Sequence, residues 1–249
     1  MKLLKLIITL SLLSLPAFSD AQTTPQPEAP DPAAREAFLT YLRKAPGEGP
    51  VNEKWPGFQT VWENQRAGFA KSKTTSQGAV VFLGDSITQY FVIGKAFPKL
   101  KTANRGIAGD TTRGMLYRLQ EDVIDLNPRL IVFLAGVNDL GKKSGTPQTV
   151  AANVRSILGE IQKKLPKTPV IVCEIMPAKN PGIVEANAAV DQVLTAFPKV
   201  RRLKINHLFL NADGTQNASL FKDGTHPNLA GYAIWQAALE PKINALMHL

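Results

Sequence analysis

The sequence contains only one cysteine and three histidines in 249 residues. A single cysteine cannot form an intramolecular disulfide, so the fold has to be stabilised by packing. Cys173 lies in the apolar run Val170–Cys173, which predicts a buried, unreactive thiol rather than a nucleophile. The histidines lack the paired spacing of a metal hydrolase, and no metal site is predicted.

Several sequence signatures of other protein classes are missing. The glycine-rich stretch 106–114 has neither the Gly-x-Gly-x-x-Gly spacing nor a P-loop lysine, so no nucleotide or other cofactor is predicted. The chain has no Gly-x-Ser-x-Gly segment, which excludes the usual nucleophile elbow of an α/β-hydrolase. The net charge is +9, but the basic residues are scattered and do not alternate with aromatic residues, so no nucleic-acid partner is predicted.

The chain also lacks an apolar run long enough to span a bilayer. Its longest run is Leu6–Leu15, which follows the basic residues Lys2 and Lys5 and precedes a small-residue site, Ser19-Asp20-Ala21. This order is typical of a cleavable signal peptide. We therefore predict a signal peptide over 1–21, cleavage after Ala21, and a secreted or periplasmic protein with no membrane span.

Residues 22–77 are predicted to form a linker and an N-terminal helical extension. Prolines are frequent between 25 and 32, and two helices are expected, at 31–44 and 57–70. Aromatic residues in the second helix recur at helical spacing, which predicts a face packed against the rest of the protein. The main domain is predicted over 78–249.

In the main domain, apolar strand-like runs alternate with helix-length segments. Strands are predicted at 79–83, 100–104, 129–135, 170–176 and 200–205, and helices at 111–123, 147–165, 182–197 and 228–247. This alternation predicts an α/β fold with right-handed crossovers. The expected fold is a doubly wound, flavodoxin-like or Rossmann-like, five-stranded parallel sheet between helices, in three α/β/α layers.

Polar residues follow the predicted strands at the edge where α/β proteins bind ligands. Ser86 follows the first strand, and segments 104–112, 135–139 and 221–227 contribute further polar groups. Together they supply a hydroxyl, a carboxylate, an imidazole and neutral hydrogen-bond donors. Those are the groups that acyl transfer requires.

The pattern assigns these groups definite roles. Ser86 needs a neighbouring base, for which His226 is the candidate, and Asp223 lies close enough in sequence to orient the imidazole. His248 is close to the C-terminus and is disfavoured, whereas His207 is retained as a lesser alternative. An oxyanion hole would use the backbone N–H groups of Ser86 and Gly109 and the side-chain amide of Asn138.

Four segments carry a family resemblance: Gly-Asp-Ser, Gly-Ile-Ala-Gly-Asp-Thr-Thr, Gly-Val-Asn-Asp and Asp-Gly-Thr-His. Over about 79–239 the chain resembles the SGNH (GDSL-type) esterases and lipases, and most closely the branch similar to platelet-activating factor acetylhydrolase catalytic subunits. The resemblance implies Ser86 as nucleophile with Asp223 and His226 as partners, and Gly109 and Asn138 in the oxyanion hole.

The expected function is therefore that of a secreted serine esterase acting on short, acetyl-type esters, of small molecules or of O-acetylated carbohydrate. Two alternatives stay open. One is a lysophospholipase or lipase with longer acyl chains. The other is a non-catalytic carbohydrate-binding module on the same fold, because a fold alone does not establish activity.

Overall fold

A computed structural model of the protein describes residues 57–141 and 145–248. The predicted signal peptide over 1–21 and the predicted helix over 31–44 lie outside the described residues. The helices are α1 (Phe58–Lys71), α2 (Ser86–Gln89), α3 (Ile93–Ala96), α4 (Thr112–Asp122), α5 (Val137–Leu140), α6 (Pro147–Lys164), α7 (Ile183–Leu194) and α8 (Leu229–Met247). The strands are β1 (Val80–Gly84), β2 (Thr102–Gly106), β3 (Leu130–Leu134), β4 (Val170–Cys173) and β5 (Val200–Leu203).

The five strands form one parallel sheet in the order β2-β1-β3-β4-β5. This is the flavodoxin-like order, and it confirms the predicted fold class. In the sheet β2 lies on one side of β1, and β3, the next strand along the chain, lies on the other side of β1. The crevice between the carboxyl ends of β1 and β3 is the topological switch point, where doubly wound proteins bind their ligands.

Both faces of the sheet are covered. Every residue of β1 and of β3 is buried, as expected for central parallel strands packed between two helical layers. On one face α6 packs against both α4 and α7. On the other, the ring of Phe91 stacks on Tyr232 and Trp235 of α8.

Three strands end two or three residues from the predicted position: β2 ends at Gly106, β4 at Cys173 and β5 at Leu203, where residues 104, 176 and 205 were predicted. Strand β2 continues to Gly106, where the side-chain oxygen of Asn104 accepts a hydrogen bond from the Gly106 N–H at 2.9 Å. Strand β4 ends at Cys173 instead of continuing to residue 176. Beyond it, the Asn187 side chain accepts from the Ile175 N–H and donates to the Ile175 carbonyl, at 2.8 and 3.0 Å, so an amide of α7 replaces strand pairing.

The predicted burial of the lone cysteine is confirmed. Cys173 is a free, buried thiol at the end of β4, and burial raises its pKa to about 12. Within 57–141 and 145–248, no helix is both long enough and apolar enough to cross a membrane.

Candidate active site

The turn after β1 places Ser86 at the sheet edge. Gly84 ends the strand, and a Cβ at this position would come within 2.7 Å of the Leu134 carbonyl oxygen on β3. Asp85 then caps α2, because its side chain accepts a hydrogen bond from the Ile87 N–H at 2.9 Å. Ser86 is therefore the first residue of a helix, with its backbone fixed by the residues on both sides.

Ser86, His226 and Asp223 form a continuous hydrogen-bonded chain. The Ser86 Oγ lies 2.8 Å from His226 Nε2, and His226 Nδ1 lies 2.7 Å from Asp223 Oδ2. A proton on Nδ1 is held by the carboxylate in this geometry, which leaves Nε2 free to accept the hydroxyl proton. His207 and His248 are not part of the chain, and the His207 side chain is exposed.

The segment that carries Asp223 and His226 holds its own geometry. Asp223 Oδ1 accepts hydrogen bonds from the backbone N–H groups of Thr225 and His226, at 3.0 and 2.9 Å. Gly224 has a φ of 81°, in the left-handed region that favours glycine. Partial burial acts to raise the pKa of Asp223, but the hydrogen bonds from His226 and Thr225 outweigh it and lower the pKa to about 2. Asp223 is thus a carboxylate at neutral pH.

The oxyanion candidates lie on two further loops at the same edge. Gly109 has a φ of 78° in the tight turn between β2 and α4, which the hydrogen bond from the Asp110 N–H to the Ile107 carbonyl closes at 3.1 Å. The Gly109 N–H has no acceptor among the described residues. Asn138, on α5, donates one side-chain N–H to the Asp110 carbonyl at 2.9 Å, and its second N–H is not needed for that contact.

A second contact ties the same two loops together. Asp139 accepts hydrogen bonds from both the backbone N–H and the hydroxyl of Thr112, and Asn153 of α6 donates to that hydroxyl at 2.9 Å. Asp139 and Thr112 are both buried. The loop with Asn138 and the loop with Gly109 therefore have a fixed relative position.

A buried charge that was not predicted from the sequence lies beneath the site. Arg118 of α4 is fully buried, and its Nε lies 2.8 Å from the carboxylate of Asp110. Its Nη2 donates to the Gly84 carbonyl at 3.1 Å, so the same side chain contacts the end of β1, directly before Ser86. The sequence contains an indication of this charge, because Arg118 lies on the same buried face of α4 as the apolar residues Met115 and Leu119.

Asp85 has an unusual environment for a carboxylate. It is completely buried, and its Oδ2 has no hydrogen-bond partner among the described residues. Burial raises its pKa to about 7, and the neighbouring Asp110 and Asp139 act in the same direction, while the hydrogen bond from Ile87 opposes them. In the described parts of the chain no three or more metal-ligating side chains form a group that could hold a metal ion.

A serine, a histidine and an aspartate in hydrogen-bonded sequence, beside neutral donors at the switch point of a parallel sheet, are typical of an α/β serine hydrolase. Residues 82–234 match the profile of the GDSL-like Lipase/Acylhydrolase family. The chain belongs to this family and is a carboxylic ester hydrolase, which confirms the resemblance found in the sequence.

Individual relatives agree with this assignment. Platelet-activating factor acetylhydrolase IB subunit alpha2 of Rattus norvegicus is 31% identical over 183 residues, which cover 69% of this chain and 79% of the relative. A GDSL-like lipase from Bacteroides thetaiotaomicron has a similar structure, with a TM-score of 0.63, 26% identity, and coverage of 71% of this chain and 97% of its own. An acetylxylan esterase from Geobacillus stearothermophilus shares the fold, with a TM-score of 0.53, 22% identity, and coverage of 67% and 94%.

The raised pKa of Asp85 leads to a prediction about stability and pH. Folding favours the protonated carboxyl, so the wild-type protein loses stability as pH rises from about 4 to about 7. Asp85→Asn keeps the cap oxygen and removes the titration. The melting temperature of the variant relative to wild type should therefore be higher at about pH 8 than at about pH 5.

Asp213→Asn is the matched control, because Asp213 is exposed and its hydrogen bonds with Thr215 lower its pKa. This variant should show no stabilisation at the higher pH. A melting-temperature difference for Asp85→Asn that is the same at both pH values would contradict a buried carboxyl that titrates near neutrality.

Proposed function

We propose that the protein is a secreted or periplasmic esterase that removes short acyl groups, chiefly acetyl, from carbohydrate or small-molecule esters. Ser86 is the nucleophile, His226 the general base and acid, and Asp223 the residue that orients His226. The observation that carries the proposal is the unbroken contact from the Ser86 hydroxyl through His226 to an ionised Asp223.

In the acylation step, the Ser86 Oγ attacks the ester carbonyl carbon while His226 Nε2 takes the hydroxyl proton. The carbonyl oxygen becomes an oxyanion, which the N–H groups of Ser86 and Gly109 and the amide of Asn138 stabilise. As the tetrahedral intermediate collapses, the bond to the leaving alcohol breaks, and His226 gives its proton to that alcohol. The product is an acyl-Ser86 ester.

In the deacylation step, water replaces the alcohol. His226 removes a proton from the water, the hydroxide attacks the acyl carbon, and the same donors stabilise the second oxyanion. Collapse releases the carboxylic acid and returns the proton to Ser86. Asp223 stays a carboxylate throughout and stabilises the imidazolium that forms in each step.

The segment after α2 supports a short acyl group. In this segment Phe91, Ile93 and Phe97 are buried, whereas Val92 is exposed. Phe91 and Phe97 both pack against Phe82 of β1. These side chains are part of the core, so they do not line an open groove for a long acyl chain. The acetylhydrolase name of the 31% identical relative also favours acetyl.

One observation favours the lipase alternative. Three apolar side chains near the site in sequence are exposed: Tyr90 by 49%, Val92 by 60% and Leu229 by 88%. The Tyr90 ring centroid lies 5.5 Å from that of His226. Such side chains could contact a lipid chain. An exposed tyrosine ring beside the site equally suits the apolar face of a sugar, so we retain carbohydrate as the first candidate.

The proposed location outside the cytoplasm rests on the basic start, the apolar run Leu6–Leu15 and the small residues before Gln22. N-terminal sequencing of the protein exported by its host tests it. The mature chain is expected to begin at Gln22, and an intact Met1 on the exported protein would contradict the predicted cleavage.

Ser86→Ala is the direct test of the mechanism. Loss of the nucleophile should lower kcat for p-nitrophenyl acetate by at least about a thousandfold, with the melting temperature close to that of wild type. His207→Ala, which changes the exposed histidine outside the site, should keep wild-type activity. More than about a tenth of the wild-type turnover in Ser86→Ala would contradict the proposed role, because a barrier change of about 1.4 kcal/mol is too small for a lost nucleophile.

The acyl preference is tested with p-nitrophenyl esters from acetate to laurate, without detergent. We expect kcat/KM to fall beyond propionate, because an acyl group that fits no groove cannot gain the roughly 0.8 kcal/mol that each buried methylene contributes. A rate that rises steadily to octanoate would favour the lipase alternative. In that case Leu229→Ser should reduce octanoate hydrolysis more than acetate hydrolysis.

Release of acetate from acetylated xylo-oligosaccharides then tests carbohydrate as the natural substrate class.

A further inference from the structure

Helix α1 lies before residue 82, where the family match begins. It nevertheless packs against residues 107–110, the turn with Gly109, which we call the oxyanion loop. Phe58, Trp62 and Phe69 of this helix form a buried cluster with Ile107, separate from the main core. Ile107 has no exposed surface and lies two residues before Gly109. The apolar face of α1 thus packs against the residue that begins the turn with Gly109.

Polar contacts connect α1 to both neighbours of Gly109. The buried indole of Trp62 lies beside the Asp110 carboxyl and acts to lower its pKa. On the other side, the Gln89 side-chain oxygen accepts a hydrogen bond from the Ala108 N–H, and its amide nitrogen lies 3.5 Å from the Gln65 oxygen on α1. The residues before and after Gly109 therefore each have a contact that leads to α1.

A charged contact joins the same network. Arg66 of α1 donates to Asp122 at 3.2 Å and also pairs with Glu121, while its guanidinium carbon lies 4.7 Å from the Trp62 ring centroid. Asp122 in turn lies 3.5 Å from Arg118, the residue that holds Asp110. Helix α1 therefore contacts the residues beneath the site through apolar packing, neutral hydrogen bonds and ion pairs.

We propose that α1 is a positioning element for the oxyanion loop, through the packing of Trp62 with Ile107 and through Gln89, which accepts a hydrogen bond from the Ala108 N–H. The inference rests on the proposed role of Gly109 as an oxyanion donor. A donor stabilises the transition state only when it is aimed at the developing charge before the reaction begins. Release of the turn from α1 would leave substrate binding largely intact and weaken the stabilisation of the oxyanion.

Trp62→Phe tests the proposal, because it shrinks the largest side chain of the cluster that contains Ile107 and keeps an aromatic ring there. We expect kcat for p-nitrophenyl acetate to fall about tenfold while KM stays within about twofold, as when a reacting group is displaced by a fraction of an ångström. The matched control is Asn64→Ala, which changes an exposed residue of the same helix outside the cluster. Its kcat should stay within about twofold of wild type.

The proposal is overturned if Trp62→Phe keeps kcat within about twofold, or if Asn64→Ala loses as much kcat as Trp62→Phe. Should Trp62→Phe not fold, the pair Gln89→Leu and Gln89→Glu decides. Glutamate keeps an acceptor for the Ala108 N–H and leucine does not, so only the leucine variant should lose about tenfold in kcat. Equal kcat values in the two variants would also overturn the proposal.

Labelling by an organophosphonate ester separates this inference from the proposed function. The phosphonyl oxygen of the adduct on Ser86 would occupy the oxyanion hole, so the labelling rate of Trp62→Phe should fall in parallel with its kcat/KM. If the wild-type protein is not labelled on Ser86, the proposed function itself fails. If Ser86 is labelled, but at equal rates in wild type and Trp62→Phe, only the role of α1 fails.

Discussion

The arrangement of the site depends on one buried guanidinium. Arg118 contacts the carboxylate of Asp110 at 2.8 Å and the carbonyl of Gly84 at 3.1 Å. It therefore links the end of the strand that delivers Ser86 to the residue that follows Gly109. A buried ion pair is costly to form, and the loss of one partner typically costs about 3–5 kcal/mol because the other charge is left alone. The ion pair fixes the two loops relative to each other through directional hydrogen bonds. Two apolar side chains of equal volume would make no such directional contacts.

The remaining contacts of the site build on that link. Asn138 donates to the Asp110 carbonyl, and Asp139 accepts from Thr112, so the loop after β3 is attached to the loop that Arg118 holds. The proposed oxyanion donors are thus fixed by buried groups before any ester arrives, which is the condition for electrostatic stabilisation without reorganisation. The proposed base is held differently. The segment with Asp223 and His226 is only partly buried and keeps its geometry through hydrogen bonds within four consecutive residues.

The sequence predicted the sheet well where burial alone decides. Strands β1 and β3 are apolar runs buried on both faces, and their limits were predicted to within about one residue. The ends of β2, β4 and β5 were less well predicted. At β4 the reason is the Asn187 side chain of α7, whose hydrogen bonds with Ile175 no local pattern reveals. The residues of the proposed triad and oxyanion hole were recognisable because each follows a strand or precedes a helix. Arg118, Trp62 and Gln89 were not, because their importance comes from contacts between segments distant in the chain.

The contrast between buried, interlinked groups and exposed side chains explains why the reaction class could be inferred more readily than the substrate. The proposed oxyanion donors are joined to buried groups of neighbouring loops, so a change in that network disturbs several contacts at once. The side chains that would meet the acyl and alcohol parts of a substrate, such as Tyr90 and Leu229, are exposed, and their identity places little constraint on the fold. Surface positions of this kind usually change stability by less than about 0.5 kcal/mol when substituted. Selection can therefore alter them for a new ester while the buried network stays the same, and a chain 31% identical to an acetylhydrolase subunit need not share its substrate.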